Sequence, residues 1–150
     1  MTTPMTPPIA SIRAATPRDL PAMTQIWLEA SCTAHDFVPA SFWRNQRQAM
    51  QEVYLPAAEN HVYVVAEAVV GFLSLCDSTL AALFVAPSQQ GRGVGGALLA
   101  HAQTRRDALE LQVYQQNEGA VRFYQTHGFI IVASGVDAHT GAPEWHMRYG

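Results

Sequence analysis

Hydrophobic positions change period several times along this chain, and each change marks an element. Ile9–Arg13 alternates and predicts a short strand. Thr16-Pro17-Arg18-Asp19 has the form of a helix start, with Thr16 as cap, Pro17 at the first helical position and Asp19 where a capping-box acid belongs. Leu20, Met23, Ile26, Trp27 and Ala30 recur at helical spacing and carry that helix to about Ser31. A second helix is predicted over Ser41 to Tyr54, with Phe42, Trp43, Gln46, Ala49, Met50 and Val53 on one side; Pro56 bars its continuation.

His61–Ala66, Val70–Leu75 and Thr79–Val85 are β-branched, apolar runs joined by short turns at Glu67-Ala68 and Asp77-Ser78. Turns that short make neighbouring strands antiparallel. Val94, Leu98, Leu99 and Ala102 predict a helix over Gly93–Arg106, and Leu109–Tyr114 a strand after it. Asn117 caps the next helix, which carries Val121, Phe123 and Tyr124 and ends at Gly128. Phe129–Ala133 and Trp145–Tyr149 close the chain as strands around a polar turn through Asp137–Pro143. The order β, α, α, β, β, β, α, β, α, β, β predicts an α/β fold: a mixed sheet with helices on both faces.

Composition narrows the class. A chain of 150 residues with 49% hydrophobic content is expected to fold as one domain over residues 9–150, preceded by a polar lead-in, residues 1–8. Net charge is −3 and no basic stripe is present, which argues against a nucleic-acid partner. No apolar run approaches the ~20 residues of a membrane helix, and the N-terminus is too polar for a signal peptide. Cys32 and Cys76 have no metal-finger spacing and read as free thiols, so a cytoplasmic protein is expected. Charged residues are only 14%, against a usual share of about 25%, which leans toward a surface covered by a second copy.

The chemistry concentrates after the third strand of the meander. Val85 ends a strand, Pro87 breaks it, and Gln90-Gly-Arg-Gly-Val-Gly-Gly96 opens a helix. The first turn of a helix has unpaired N–H groups and a partial positive charge, and glycines let those groups approach a pyrophosphate closely. No Lys-Ser/Thr follows, so a P-loop is excluded. Gly91 to Gly96 also matches G-x-G-x-x-G, with Glu110 near the spacing of a ribose-binding acid, so a dinucleotide site is an alternative. That fingerprint belongs in the first βα turn of a longer domain, however.

Gln90-Gly-Arg-Gly93-Val-Gly95 resembles the Q/R-x-x-G-x-G/A cofactor motif of the GNAT N-acetyltransferases. Asn117-Glu-Gly-Ala120-Val-Arg-Phe123-Tyr124-Gln-Thr-His-Gly128-Phe129 resembles their second signature, N-x-x-A-x-x-F-Y-x-x-x-G-F. Thr33-Ala-His35-Asp36-Phe37 is similar to a T-x-H-D-F segment of small bacterial members. The resemblance implies a sheet whose middle strands splay apart, acetyl-CoA as co-substrate without a metal, and direct attack by a primary amine of a small molecule or peptide. It implies that backbone groups of Leu83, Phe84 and Val85 pair with the pantetheine arm like an added strand. Gln90, Gly91, Arg92, Gly93, Val94, Gly95 and Gly96 would surround the pyrophosphate. Asn117, with Ala120 in its motif, would hold the cofactor arm, and Tyr124 would protonate the departing thiolate.

Each assignment has a plainer competitor. Tyr124 is otherwise a core aromatic, Asn117 only a helix cap, and Arg92 a solvated surface side chain. The amine must lose a proton before attack, and His35 beside Asp36 is a candidate base, unless the pair merely ends a helix. Many family members carry a glutamate before the phosphate turn, where this chain has Leu80 to Leu83; others carry one where Gln112 stands. A water chain is the remaining option for the base. Trp27, Phe37, Trp43 and Trp145 line a groove or pack a core, and His61, His101, His127, His139 and His146 share no metal spacing. A module that senses acyl-CoA without turnover is the second functional reading.

Overall fold

The computed structural model describes residues 10–150. The expected lead-in and Ile9 lie outside them. Strand β1 (Ala10–Ala14) leads through a 3₁₀ turn at Pro17–Asp19 into helix α1 (Leu20–Ala34). The Asp19 carboxylate accepts the Thr16 N–H at 2.7 Å and the Arg13 guanidinium at 2.7 Å, tying strand to helix start. Those charge-assisted bonds hold the Asp19 carboxyl down at about 2. Met23, Ile26, Trp27, Ala30 and Ser31 form the buried stripe of α1, the periodicity read from the sequence.

The second helix is not the continuous element expected over 41–54. It divides into α2 (Ala40–Asn45), α3 (Arg47–Ala49) and a wide π-type turn over Met50–Tyr54, with Leu55 N–H bonded to Met50 C=O at 2.9 Å. Trp43 and Leu55 are its two buried anchors. In a regular helix they would lie about 120° apart around the axis. The wide turn takes up that offset, and it leaves Val53 on the exposed side rather than the inner one.

Among the described residues seven strands form one sheet in the order β1-β2-β3-β4-β5-β7-β6. The meander is β2 (Glu59–Val65), β3 (Ala68–Cys76) and β4 (Thr79–Val85), all antiparallel. Its first turn sits at Ala66–Glu67, one residue earlier than read from the sequence. Both residues there adopt positive φ (48° and 69°), as a two-residue hairpin that follows strand twist requires. Helix α4 (Val94–Arg105) crosses to β5 (Leu109–Tyr114), which lies parallel to β4. Helix α5 (Glu118–Thr126) leads to the hairpin β6 (Ile130–Val136) and β7 (Pro143–Tyr149), with β7 inserted between β5 and β6.

Helices pack both faces. Met23, Ile26 and Trp27 of α1 meet Val62, Phe72 and Ala82 on one side. Leu98, Leu99 and Ala102 of α4, with Val121 of α5, meet Leu73, Leu111 and Met147 on the other. Fully burying such a side chain contributes about 1.5–3 kcal/mol, enough to fix which face of each strand points inward. β4 and β5 are the exception to a closed sheet. They share only the pair Thr79↔Glu110 and part beyond it, so among the described residues the backbone of Leu83–Val85 has β3 as its only strand partner.

Candidate active site at the strand opening

The parting of β4 and β5 opens a cleft of about 670 Å³. Its floor is Leu80–Phe84 and Leu111–Tyr114; Asn117, Ala120 and Tyr124 of the α5 segment reach it from below. Trp27, His35 and Trp43 wall one side, and Asp137, His139 and Glu144 of the β6–β7 hairpin the other.

At the mouth of the opening lies the glycine turn. A 3₁₀ turn at Pro87–Gln89 follows β4, and the Gln90 amide donates to Val85 C=O at 3.2 Å. Gly91 and Gly93 hold φ of +78° and +83°, which a side chain adopts only under strain. A Cβ at either would meet no heavy atom within 4 Å, so the space in front of both is clear. The first intrahelical bond is Ala97 N–H to Gly93 C=O, which leaves the amides of Val94, Gly95 and Gly96 without helical acceptors. Gly95 and Gly96 have another use as well. Their added β-carbons would sit 3.6 Å from Phe123 and 3.6 Å from His127, so both glycines bring α4 against α5. Arg92 is exposed.

Asn117 does two things at once. Its Oδ1 accepts the Ala120 N–H at 3.2 Å, capping α5, and its Nδ2 lies 3.1 Å from His35 Nε2. Because the cap fixes which amide atom faces the histidine, Nδ2 donates to the Nε2 lone pair and the ring proton sits on Nδ1. His35 is 8% exposed, with ring centroids of Tyr114, Trp43 and Phe37 at 4.8, 5.6 and 5.8 Å. Burial lowers its pKa from 6.5 to about 4, so it is neutral at physiological pH. His35 Nδ1, Ser31 Oγ and Trp43 Nε1 are all buried without a hydrogen-bond partner among the described residues.

Tyr124 projects from α5 into the opening and packs edge-on against Phe123 and Phe129. Burial pushes its pKa above the usual tyrosine value, so the phenol keeps its proton. The structure therefore brings His35, Asn117 and Tyr124 to one cleft beside Leu83 and Phe84, with Val85 at its edge. Asp36 is exposed and is not part of the cleft wall, so the neighbouring pair in sequence is not a pair in space. Gln112, not a carboxylate, lines the cleft on β5, and no carboxylate stands at Leu80–Leu83.

Three cleft residues carried no sequence signal as site residues: Tyr114, whose hydroxyl donates to Asp137, together with Asp137 and Glu144 themselves. They read only as a strand end and a polar turn. Of the aromatics considered for a groove, Trp27 and Trp43 line it, Phe37 stacks behind His35, and Trp145 packs against the core on the opposite face. His61 and His101 contact each other at 3.2 Å on the far side of the sheet, with Glu59 on His61 at 2.8 Å. Among the described residues no cluster of three metal-ligating side chains exists.

A glycine turn after the last strand of a meander, on a sheet open between its fourth and fifth strands, is not a doubly wound dinucleotide domain. The sequence model of the family described as "Acetyltransferase (GNAT) domain" matches residues 29–149. The chain belongs to the GNAT family. This GNAT protein is 39% identical over 139 residues to the Escherichia coli K12 peptidyl-lysine N-acetyltransferase YiaC, covering 92% of this chain and 95% of that one. Among solved structures it is similar to apo YjaB from Escherichia coli (TM-score 0.84, 30% identity, 94% of this chain and 97% of the other). The PaiA N-acetyltransferase of Thermoplasma acidophilum, solved with coenzyme A, shares the fold at a TM-score of 0.78 and 18% identity, covering 94% of this chain and 98% of that one. Membership makes the chain an N-acetyltransferase of the GNAT type, as its two motifs implied, and its splayed mixed sheet is the GNAT fold.

Proposed function

We propose that the protein transfers the acetyl group of acetyl-CoA to the ε-amine of lysine in a peptide or protein, by direct attack of the amine on the thioester. The observation that carries this reading is the conjunction of an unpaired β4 edge, a glycine turn with free helix-opening amides, and the Tyr124 phenol in the opening between them. YiaC and YjaB are named for peptidyl-lysine, and the PaiA structure holds coenzyme A, which support substrate and co-substrate alike. An acyl-CoA sensor needs no acid in the opening, and Tyr124 is there.

In this reading Leu83, Phe84 and Val85 offer their free backbone groups to the pantetheine amides, and Gln90–Gly96 surround the pyrophosphate, which suits the clear space and free amides of that turn. Asn117 sets the first turn of α5, and with it the position of Tyr124. His35 serves by holding Asn117: its Nε2 lone pair is taken and its burial keeps it neutral, so we assign the proton-accepting role elsewhere. Tyr124 donates its proton to the departing sulfur as the C–S bond breaks, and regains one from the newly acylated nitrogen. We extend the proposal to a homodimer. Edge strand β6 exposes Ile130 (62%) and Val136 (66%), surface that a second copy would cover.

The test is a pair of measurements on one preparation. Acetyl-CoA should raise the melting temperature, and thiol release should require a lysine-containing peptide. Stabilisation without release across a broad amine panel would favour the sensor.

A further inference from the structure

The proton on the acceptor amine has no obvious destination. A lysine ammonium with a pKa near 10.4 is deprotonated in only roughly 1 molecule in 2,500 at pH 7. A base at the acceptor side of the cleft therefore governs the rate. Most titratable groups facing that side are already committed. His35 accepts from Asn117, both Tyr114 and Tyr124 are held protonated by burial, and Asp137 accepts from the Tyr114 hydroxyl and the His139 N–H. Cys76 lines the cleft only at its closed end, where β4 and β5 are joined and Thr79 stands next to it in register.

His139 at the hairpin tip and Tyr54 in the wide turn are both exposed to solvent, which leaves Glu144. It is paired in register with Tyr114 across β5 and β7, and directly opposed residues of an antiparallel pair share a face. Tyr114 turns that face toward the cleft, and Glu144 lines the cleft beside it. Its carboxylate has no hydrogen bond or ion pair among the described residues; the Gln115 side chain donates to its backbone carbonyl instead. Next along the same face stand Gln112 and His146, then Glu110 and Arg148, and the latter three form their own cluster at 3.7 to 3.9 Å.

We propose that Glu144 is the proton acceptor for the incoming amine, an assignment that rests on the acetyltransferase reading above. Glu144 takes one proton from the ammonium, and the freed lone pair forms the C–N bond at the thioester carbonyl. The tetrahedral adduct still carries one proton too many on nitrogen. Collapse breaks the C–S bond, Tyr124 protonates sulfur and is reprotonated from that nitrogen, and Glu144 returns its proton to water. One proton is released per turnover, as acylation of an ammonium demands. The surroundings of Glu144 suit the task. Desolvation raises its pKa and Asp137 adds to the rise, while His146 opposes it; Tyr114 and His35 beyond it are neutral, and His139 lies at the exposed hairpin tip.

The test uses the full chain, Glu144→Gln, and two acceptors in the same peptide. One carries lysine, the other an aminooxy side chain of similar length, whose weakly basic nitrogen is neutral at pH 7. With lysine, kcat/KM at pH 7 should fall about 10²- to 10⁴-fold and recover as pH rises toward the amine pKa. With the aminooxy peptide the variant should match the parent, with melting temperature and CoA affinity unchanged. Equal loss on both acceptors would overturn the assignment, as would a higher KM with an intact pH profile, the mark of mere attraction for a cation. Glu144→Asp keeps the charge and should show the same acceptor dependence in weaker form, which covers a Gln variant that folds poorly. A parent enzyme that turns over no amine at all would sink the acetyltransferase reading along with it; a parent that turns over lysine equally well without Glu144 would sink this proposal alone.

Discussion

Replacing His35 by Gln should remove a pH dependence of folding while leaving the fold in place. An unfolded histidine titrates near 6.5, whereas burial holds His35 at about 4. Its folded pKa is depressed, so its contribution is fully present above pH 6.5 and is lost as pH falls toward 4; below that, both states are protonated and the loss levels off. Between pH 7.5 and pH 5 the unfolded chain gains nearly a full proton at this position and the folded chain about a tenth of one. Integrated, that costs about 2 kcal/mol of stability. Glutamine does not titrate, and its carbonyl can still accept the Asn117 amide. Asp19 and Glu59, both held at about 2 by their basic partners, lose stability only below about pH 4.5, outside this window. His101 is also lowered and falls inside it, so the informative quantity is the parent-minus-variant difference rather than the raw slope. Urea unfolding of both proteins at pH 7.5 and pH 5, with m-values compared, gives that difference. If parent and variant lose stability equally over that interval, His35 is not held neutral, and the account of the Asn117–His35 contact fails with it.

Three further outcomes are expected. Tyr124→Phe keeps the ring and its packing, so melting and CoA affinity should stay near native while kcat drops about 10²-fold or more; full turnover would retire the phenol as acid. Gly93→Val meets no steric obstacle in the free protein but forces a side chain onto φ +83°, costing about 1–2 kcal/mol. It should weaken CoA binding at least tenfold by isothermal titration, and unchanged affinity in a folded variant would remove the phosphate-turn assignment. Ile130→Lys should convert a dimer to a monomer in sedimentation velocity, and a monomeric parent at high concentration would dispose of the dimer.

Much of the fold was legible because it is written in local patterns. The buried stripe of α1 needs only a period of 3.6, and the meander needs only apolar runs broken by two-residue turns. The break in the second helix has no local signal, because it comes from burying both Trp43 and Leu55, a demand set by the sheet beneath rather than by the residues between them. The one-residue error at Ala66–Glu67 has a similar origin. Neither residue favours positive φ, and the register of β2 against β3 imposes it.

The order of elements, the glycine turn with its free amides, and the α5 segment bearing Asn117 and Tyr124 are local properties, each specified within about a dozen residues. The sequence also points to His35, but for its neighbour Asp36, which the structure leaves in solvent. Partnership across long separations comes instead from the packing of the sheet and helices. Asn117 meets His35 across 82 positions because β5 and the end of α1 converge on the same opening. Glu144 faces Tyr114 only because β7 inserts between β5 and β6. A titratable group takes its character from what is buried around it, and that surrounding is assembled by sheet topology, which no short stretch of sequence contains.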